Sequence, residues 1–395
     1  MSEYTTIILK TGKDQSMLRF HPWVFSGAIK KIKGKVEEGD VVRVFSSEGD
    51  FLGIGHYQIG SIAVRIFSFE DMVPNADFWT KKFKAAWQVR VDVGLADRTD
   101  TNVFRLAHGE GDGLPGLIID FYNGTAVMQM HSIGMYRIRE ELATALKAAL
   151  GNRLQAVYDK SEKTLPFKAQ IEPEDGYLLG KSTTNQVTEY GNHFNVDWEE
   201  GQKTGFFIDQ RENRRLLKDY SKGRSVLNMF CYTGGFSFAA MAGDAKLVHS
   251  VDVSSKAIDL TNENVALNFP GNERHQAFVS DAFDFMRDIK DKYDLIVLDP
   301  PAFAKHRKTL SQALQGYKRL NAKAFQQIRP GGIVFTFSCS QVVSKEHFRN
   351  AVFSGAAIAK RKVRILHQLS QPADHPIDIY HPEGEYLKGL VLYVE

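Results

Sequence analysis

The chain has 395 residues, 43% of them apolar and 25% charged, a balance that fits a globular protein built from two or three domains. The formal net charge is only +3, which by itself does not mark a nucleic-acid binder. No apolar run is long enough for a membrane helix, and the opening Met1-Ser2-Glu3-Tyr4-Thr5 has neither the basic nor the apolar stretch of a secretory signal. The two cysteines, Cys231 and Cys339, are too few for a disulfide framework or a cysteine-based zinc site, and a reducing cytoplasm is expected.

Residues 1–72 read as short strands at Ile7–Leu9, Val41–Phe45, Phe51–Gly55 and Ile62–Phe67, separated by Gly39, Gly49 and Gly60. Short strands with glycine-bearing turns predict a small β-barrel. This stretch holds nine basic and nine acidic residues, so it is no strong phosphate magnet, although Lys30, Lys31, Lys33 and Lys35 form a cluster able to touch an RNA backbone.

Residues 73–190 mix helix and strand. The spacing of Trp79, Phe83, Ala86, Trp87 and Val91 predicts a helix over Phe78–Val93, and a second amphipathic helix is expected over Arg137–Leu150. Strands are predicted at Leu117–Phe121, Thr125–Met130 and Gln155–Tyr158.

Residues 191–395 change rhythm. Strands are predicted at Ser225–Phe230, Leu247–Val251, Gln276–Val279, Leu295–Leu298 and Gly332–Phe337, with helical segments between them, and then at Val363–Leu369 and Leu390–Val394. This alternation predicts a doubly wound, mostly parallel sheet, whose ligands bind beyond the carboxyl ends of the strands.

The residues that follow the strands are therefore the candidate site. Cys231-Tyr232-Thr233-Gly234-Gly235 would make a tight turn open to close approach by a ligand, but the dinucleotide spacing G-x-G-x-x-G is absent. Asp252, followed by Ser254, can accept from a ribose diol or cap a helix. Asp281, followed by Ala282, can accept from an adenine amino group, with the same capping alternative. Three such features after three successive strands point to an adenosine-bearing cofactor.

The fourth strand ends in Asp299-Pro300-Pro301-Ala302-Phe303, where two prolines stiffen a loop around one carboxylate suited to a planar base edge. From Ala302 to Arg329 there are seven basic residues (Lys305, Arg307, Lys308, Lys318, Arg319, Lys323 and Arg329) and no acid. Arg349–His367 adds five more, again without acid. A solvated helix face is the ordinary reading of such runs, but the first one directly follows the Asp299 loop, which raises the case for a phosphate-facing surface. The fifth strand ends in Ser338-Cys339-Ser340. A thiolate there could attack C6 of a pyrimidine and make C5 nucleophilic enough to take a methyl group. Cys231, inside the glycine turn, is assigned to packing.

Five segments carry a resemblance over essentially the whole chain: Arg19-Phe20-His21-Pro22-Trp23-Val24-Phe25-Ser26-Gly27, Gly109-Glu110-Gly111-Asp112-Gly113-Leu114-Pro115-Gly116-Leu117, the run from Gly201 through Lys203-Thr204-Gly205 to Arg211, Asp299-Pro300-Pro301, and Ser338-Cys339-Ser340. With these the chain resembles the bacterial class I S-adenosylmethionine-dependent ribosomal RNA cytosine-C5 methyltransferases that carry an N-terminal PUA domain, the large-subunit enzymes in particular.

The resemblance implies an α/β architecture: a PUA β-barrel over 1–72, a central α+β domain over 73–190, and a Rossmann-like methyltransferase sheet over 191–395. It implies Cys339 as nucleophile and Asp299 as holder of the cytosine. S-adenosylmethionine contacts would come from Phe207, Asp209, Arg211, Tyr232, Thr233, Gly234, Asp252, Ser254, Asp281, Ala282 and Asp299. Substrate contacts are expected from Pro300, Pro301, Phe303, Lys305 and Arg307.

Related families place a second cysteine beside the paired prolines. Here that position is Ala302, so another base, Asp299 or a bound water, must take the C5 proton. Ribosomal RNA is the expected partner, with no membrane and no metal, and homodimerisation is left open. An exocyclic-nitrogen methyltransferase and a non-catalytic RNA-binding assembly factor remain alternatives.

Overall fold

The structure is a computed structural model that describes residues 4–166, 171–304 and 306–395. It divides into two compact units, one formed by 1–191, 196–208 and 373–384, the other by 192–195, 209–372 and 385–395.

The first unit opens with six strands: β1 (Thr5–Leu9), β2 (Trp23–Phe25), β3 (Ile29–Lys33), β4 (Val41–Phe45), β5 (Phe51–Tyr57) and β6 (Ile62–Ser68). They form one sheet in the order β2-β6-β5-β4-β1-β3, antiparallel except for β1 with β4. The two edge strands are joined by only Ser26–Ala28, so the sheet must roll to bring its edges together. Val42 and Val44 alternate inward with Ile7, Leu9, Val64 and Ile66 to fill its interior. Strands β2 and β3 go beyond the sequence prediction. In β3 the exposed residues are Lys30, Lys31 and Lys33, and its apolar members Ile29 and Ile32 are only half-buried.

Five further strands follow: β7 (Val103–His108), β8 (Leu117–Tyr122), β9 (Thr125–Met130), β10 (Ala156–Asp159) and β11 (Gly176–Leu179). Their order is β11-β10-β9-β8-β7, and helices Ala76–Asp92 and Arg139–Leu150 share their core through Trp79, Phe83, Leu142 and Leu146. The expected apolar face of the first helix is realised at Trp79, Phe83 and Ala86, but its next buried position is Arg90, with Trp87 and Val91 only half-buried.

Arg90 is fully buried. Its guanidinium donates to both Asp112 carboxylate oxygens at 2.5 and 2.8 Å, and to the carbonyls of Arg105 and Asp374 at 2.7 Å each. Removing one member of a buried pair strands the other charge, which typically costs about 3–5 kcal/mol. Arg90→Met is therefore expected to lower the unfolding free energy from urea titration by an amount in that range, and a value within experimental error of the wild type would refute the assignment.

His56 on β5 is packed against Phe67 and Trp79, with ring centroids at 5.0 and 6.4 Å, and burial pushes its pKa down to about 4. The folded state thus disfavours the imidazolium, and the contribution of His56 to stability is intact above the ordinary pKa of 6.5 and erodes as pH falls from there toward about 4. His56→Gln should show a smaller stability loss than wild type between neutral pH and pH about 5 in urea titrations. Equal losses would show that His56 does not couple to folding.

Two short strands, β12 (Gln186–Glu189) and β13 (Asn192–Asn195), precede the large sheet of the second unit. That sheet contains β14 (Ser225–Met229), β15 (Leu247–Asp252), β16 (His275–Val279), β17 (Leu295–Leu298), β18 (Gly332–Ser338), β19 (Val363–Leu369) and β20 (Lys388–Val394). Its order is β16-β15-β14-β17-β18-β20-β19, parallel from β16 to β18, with β20 antiparallel to both neighbours. The chain builds outward from β14 on one side and then returns to its other side at β17, so a crevice opens beyond the adjoining carboxyl ends of β14 and β17. No helix among the described residues is long and apolar enough to cross a membrane.

Candidate active site

All the predicted loops of the second unit emerge from the carboxyl edge of its parallel strands. After β14, Phe230 and Tyr232 take left-handed backbone angles (φ 58° and 48°), and Gly234 at φ 86° starts the helix Gly235–Ala242. A Cβ on Gly234 would lie 2.7 Å from Phe238 and 2.8 Å from Thr261, so this position requires glycine for both its angle and its space. The turn is closed by Gly234 N donating to Cys231 O at 2.8 Å and by Thr261 Oγ1 donating to Tyr232 O at 2.9 Å. Thr233 is buried.

Asp252, at the end of β15, joins this turn to the next. Its Oδ2 accepts from Tyr232 N and its Oδ1 from Ser254 N, each at 3.0 Å. Ser254 in turn caps the helix Ser255–Asn268 by accepting from Ala257 N at 3.3 Å. Asp281 caps the short helix Ala282–Phe285 through Oδ1, which accepts from Phe283 N at 2.8 Å and Asp284 N at 3.2 Å, while Ala282 is buried. The capping alternative is realised at Asp281, whereas at Asp252 the helix cap is Ser254 and the carboxylate ties two turns together; a carboxylate with four acceptor positions that holds a turn retains positions for a ligand.

Asp299 is half-buried directly after β17, with Pro300 buried and Pro301 exposed. Phe303 lies against Tyr317 with ring centroids 4.6 Å apart, over Gly316, where a Cβ would come within 2.9 Å of the Phe303 ring. Arg307 and Lys308 are exposed in the turn that follows, whereas the predicted contact Lys305 lies outside the described residues. The basic run is not uniformly free for phosphate: Arg329 pairs with Asp294 at 2.7 Å, and Arg361 in the second run donates to the carbonyls of Phe325, Ile328 and Glu395.

Cys339 follows β18, the neighbour of β17 in the sheet, with Leu298 opposite Thr336. It is half-exposed between two buried serines. Ser338 Oγ donates to the Tyr317 hydroxyl at 2.9 Å, and that hydroxyl meets Ser340 Oγ at 3.2 Å. Ser340 Oγ also accepts from Ala304 N at 3.3 Å, which ties the Asp299 loop to the cysteine turn. The other cysteine is of a different kind: burial first, and Asp252 second, push the Cys231 thiol up to about 12, an inert packing group.

At the start of the second unit, Asp209 is buried and accepts from the Tyr386 hydroxyl at 2.7 Å, and Arg211 is fully buried beside Glu212 at 3.5 Å. Phe207 belongs to the first unit, where the Lys203 ammonium stands 5.0 Å from its ring centroid. Sequence reasoning missed Tyr317, Tyr386 and the buried Lys388. The only sequence signal for Lys388 is a lysine heading an apolar strand.

A doubly wound sheet with its polar loops at one edge and an antiparallel β20 is the architecture of a class I methyltransferase, and comparison with known proteins identifies the chain as one. A family profile described as S-adenosylmethionine-dependent methyltransferase matches residues 108–379, and one described as a PUA-like domain matches residues 7–69. Two curated relatives named "Ribosomal RNA large subunit methyltransferase I" are similar along their whole length. That of Erwinia tasmaniensis is 38% identical over 98% of this chain and 99% of its own, and that of Alteromonas mediterranea is 39% identical over 98% of each.

Among solved structures, SMU.776 complexed with SAH superposes with a TM-score of 0.84 at 24% identity, over 98% of this chain and 100% of that one. A tRNA m1G37 methyltransferase of M. jannaschii reaches 0.51 at 17% identity, over 89% and 90%. At such identities these two structures speak for the fold alone. The chain belongs to the S-adenosylmethionine-dependent methyltransferases that carry a PUA-like domain, the family of the relatives from Erwinia and Alteromonas. Its cofactor is S-adenosylmethionine.

The site fits that cofactor on structural grounds. The helix after the Gly234 turn presents its first N–H groups at the strand edge, and Asp252 stands at the end of the neighbouring strand, while Gly234 itself is required by the packing of Phe238 and Thr261. Among the described residues no group of three or more His, Cys, Asp or Glu is arranged to hold a metal. Gly234→Ala forces a strained angle that typically costs about 1–3 kcal/mol and displaces Phe238 and Thr261. A lower melting temperature and at least tenfold weaker S-adenosylmethionine binding by calorimetry are expected, and unchanged affinity would remove this turn from the cofactor site.

Proposed function

We propose that this protein methylates carbon 5 of a cytosine in large-subunit ribosomal RNA through a covalent bond between Cys339 and carbon 6. Ribosomal RNA as substrate is supported by the names of the two full-length relatives. The observation that carries the chemistry is the placement of Cys339, a half-exposed thiol in a turn pinned on both sides, at the end of the strand beside the one that ends in Asp299.

When bound, S-adenosylmethionine supplies a methyl group on a positively charged sulfur. The Gly234 turn and the Asp252 carboxylate would hold it, with Asp281 toward the adenine and Asp209 and Arg211 contributing from the start of the second unit. Asp299 fixes the cytosine edge, accepting from its exocyclic amine or, when protonated, donating to the ring nitrogen. The Cys339 thiolate attacks C6, forming the carbon–sulfur bond and moving the C5–C6 π pair to C5. Once C5 carries the methyl group, Asp299 or a water takes the C5 proton. The pair left behind restores the C5–C6 double bond, and the thiolate leaves.

A paired cytosine would first have to leave its stack, at a cost of a few kcal/mol that is smaller for a single-stranded target. Pro300 and Pro301 stiffen the loop that carries Asp299, and the exposed Arg307 and Lys308 would contact the flanking phosphates. A ribosomal RNA substrate goes with a cytoplasmic location.

The rival chemistry, transfer to an exocyclic nitrogen, would use the aromatic after the two prolines as a stacking platform. Phe303 instead packs on Tyr317 over Gly316, which favours the thiol route. Cys339→Ala should abolish 5-methylcytidine, read by bisulfite mapping of ribosomal RNA from a complemented deletion strain, while S-adenosylmethionine binding persists. Full methylation by that variant would exclude the covalent route.

A further inference from the structure

Lys388 is a cation where the fold would accept an apolar side chain. It opens β20, is only 4% exposed, and is surrounded in sequence by the buried Leu387, Leu390, Val391, Leu392 and Val394. Among the described residues it has no carboxylate in ion-pair contact. Its ammonium donates to two backbone carbonyls, Ser340 O and Tyr386 O, at 2.6 Å each. Neutral acceptors only partly offset the desolvation of an ammonium, and burial pulls the Lys388 pKa down to about 8, with Cys339 and Glu385 pulling it back up and Lys345 pushing further down.

The geometry gives this cation a place in the site. In the β18–β20 ladder Lys388 lies opposite Ser338, and its side chain reaches the carbonyl of Ser340. The residue between those two is Cys339. On the other side Tyr317, from the helix Leu310–Gln327, holds the hydroxyls of Ser338 and Ser340. Of the two anionic groups that act on the ammonium, Glu385 already pairs with Lys345, from the helix Lys345–Ala359. That leaves the Cys339 sulfur as the group whose charge the ammonium can answer.

We propose that Lys388 is the positioning residue of Cys339: it fixes the turn that presents the thiol, and its positive charge favours the thiolate. The proposal rests on reading Cys339 as the nucleophile and adds the device that makes the sulfur reactive at neutral pH. It accounts for a buried lysine that has no structural counter-ion, because the counter-ion forms only when the thiol ionises.

The test is the pH dependence of Cys339 alkylation by iodoacetamide on the full-length protein, followed by mass spectrometry of the Cys339 peptide. The buried Cys231, with its thiol pushed up to about 12, provides a slow internal reference. In the wild type the alkylation midpoint should fall below the free-cysteine value of about 8.5. In Lys388→Met it should rise by about one pH unit, which slows alkylation close to tenfold at neutral pH, and Lys388→Arg should restore most of the loss. Lys388→Met should also lower kcat for RNA methylation with KM for S-adenosylmethionine unchanged.

A wild-type midpoint at or above the free-cysteine value overturns the proposal whatever the variants do, as does a Lys388→Met profile that overlays the wild type. The outcome separates from that of the parent reading. An active Cys339→Ala variant with a shifted Lys388→Met alkylation profile removes the covalent mechanism and leaves the coupling. An inactive Cys339→Ala variant with an unmoved profile does the reverse.

Discussion

A parallel sheet buried on both faces must end all its strands at the same edge, and the backbone groups freed there need partners other than the ladder. The second unit answers this with side chains. Asp252 takes the N–H groups of Tyr232 and Ser254, Asp281 takes those of Phe283 and Asp284, Ser340 takes that of Ala304, and Lys388 takes the carbonyls of Ser340 and Tyr386. The polar residues of the proposed site are thus also the residues that finish the strands. A change at one of them alters loop position as well as chemistry, which is why tests that read binding or thiol reactivity separately from turnover are the informative ones.

Buried cations recur as fasteners in both units, and their partners differ in kind. Arg90 satisfies a buried carboxylate and two carbonyls with one planar fork, which makes it a structural anchor for the glycine-rich segment around Asp112. Among the described residues Lys388 donates to two neutral carbonyls and to no carboxylate, which is why its charge can be proposed to serve the Cys339 sulfur. The contrast follows from the two head groups: a guanidinium remains charged in any protein interior, whereas an ammonium responds to its surroundings.

Much of this was legible in the sequence where one rule dominated. The strands Val41–Phe45, Leu295–Leu298 and Val363–Leu369 fall where the apolar pattern puts them, and the alternation from Ser225 onward is that of the observed sheet. The misses share a cause. Strand β7 contains Arg105, which looks like a surface charge until Asp120 in the paired strand is seen to accept from it at 2.8 and 3.0 Å. Strand β3 hides behind its lysines, and the helix Ala76–Asp92 buries Arg90 alongside the apolar face on which Trp87 and Val91 also pack. In the site, the loop residues after each strand could be picked out because sheet topology dictates where ligands go. Tyr317, Tyr386 and Lys388 could not, because their roles depend on contacts 21 to 48 residues away and, for Tyr386, 177 residues away.

The path of the chain near residue 373 has a consequence for modularity. After β19 the chain leaves the large sheet, contributes Ala373–Gly384 to the first unit, where Asp374 accepts from Arg105 N and offers its carbonyl to Arg90, and only then returns as β20. No single cut anywhere in the chain can release either unit whole. Exchange of a whole unit with a relative would therefore need several crossovers, one at each passage of the chain from one unit to the other.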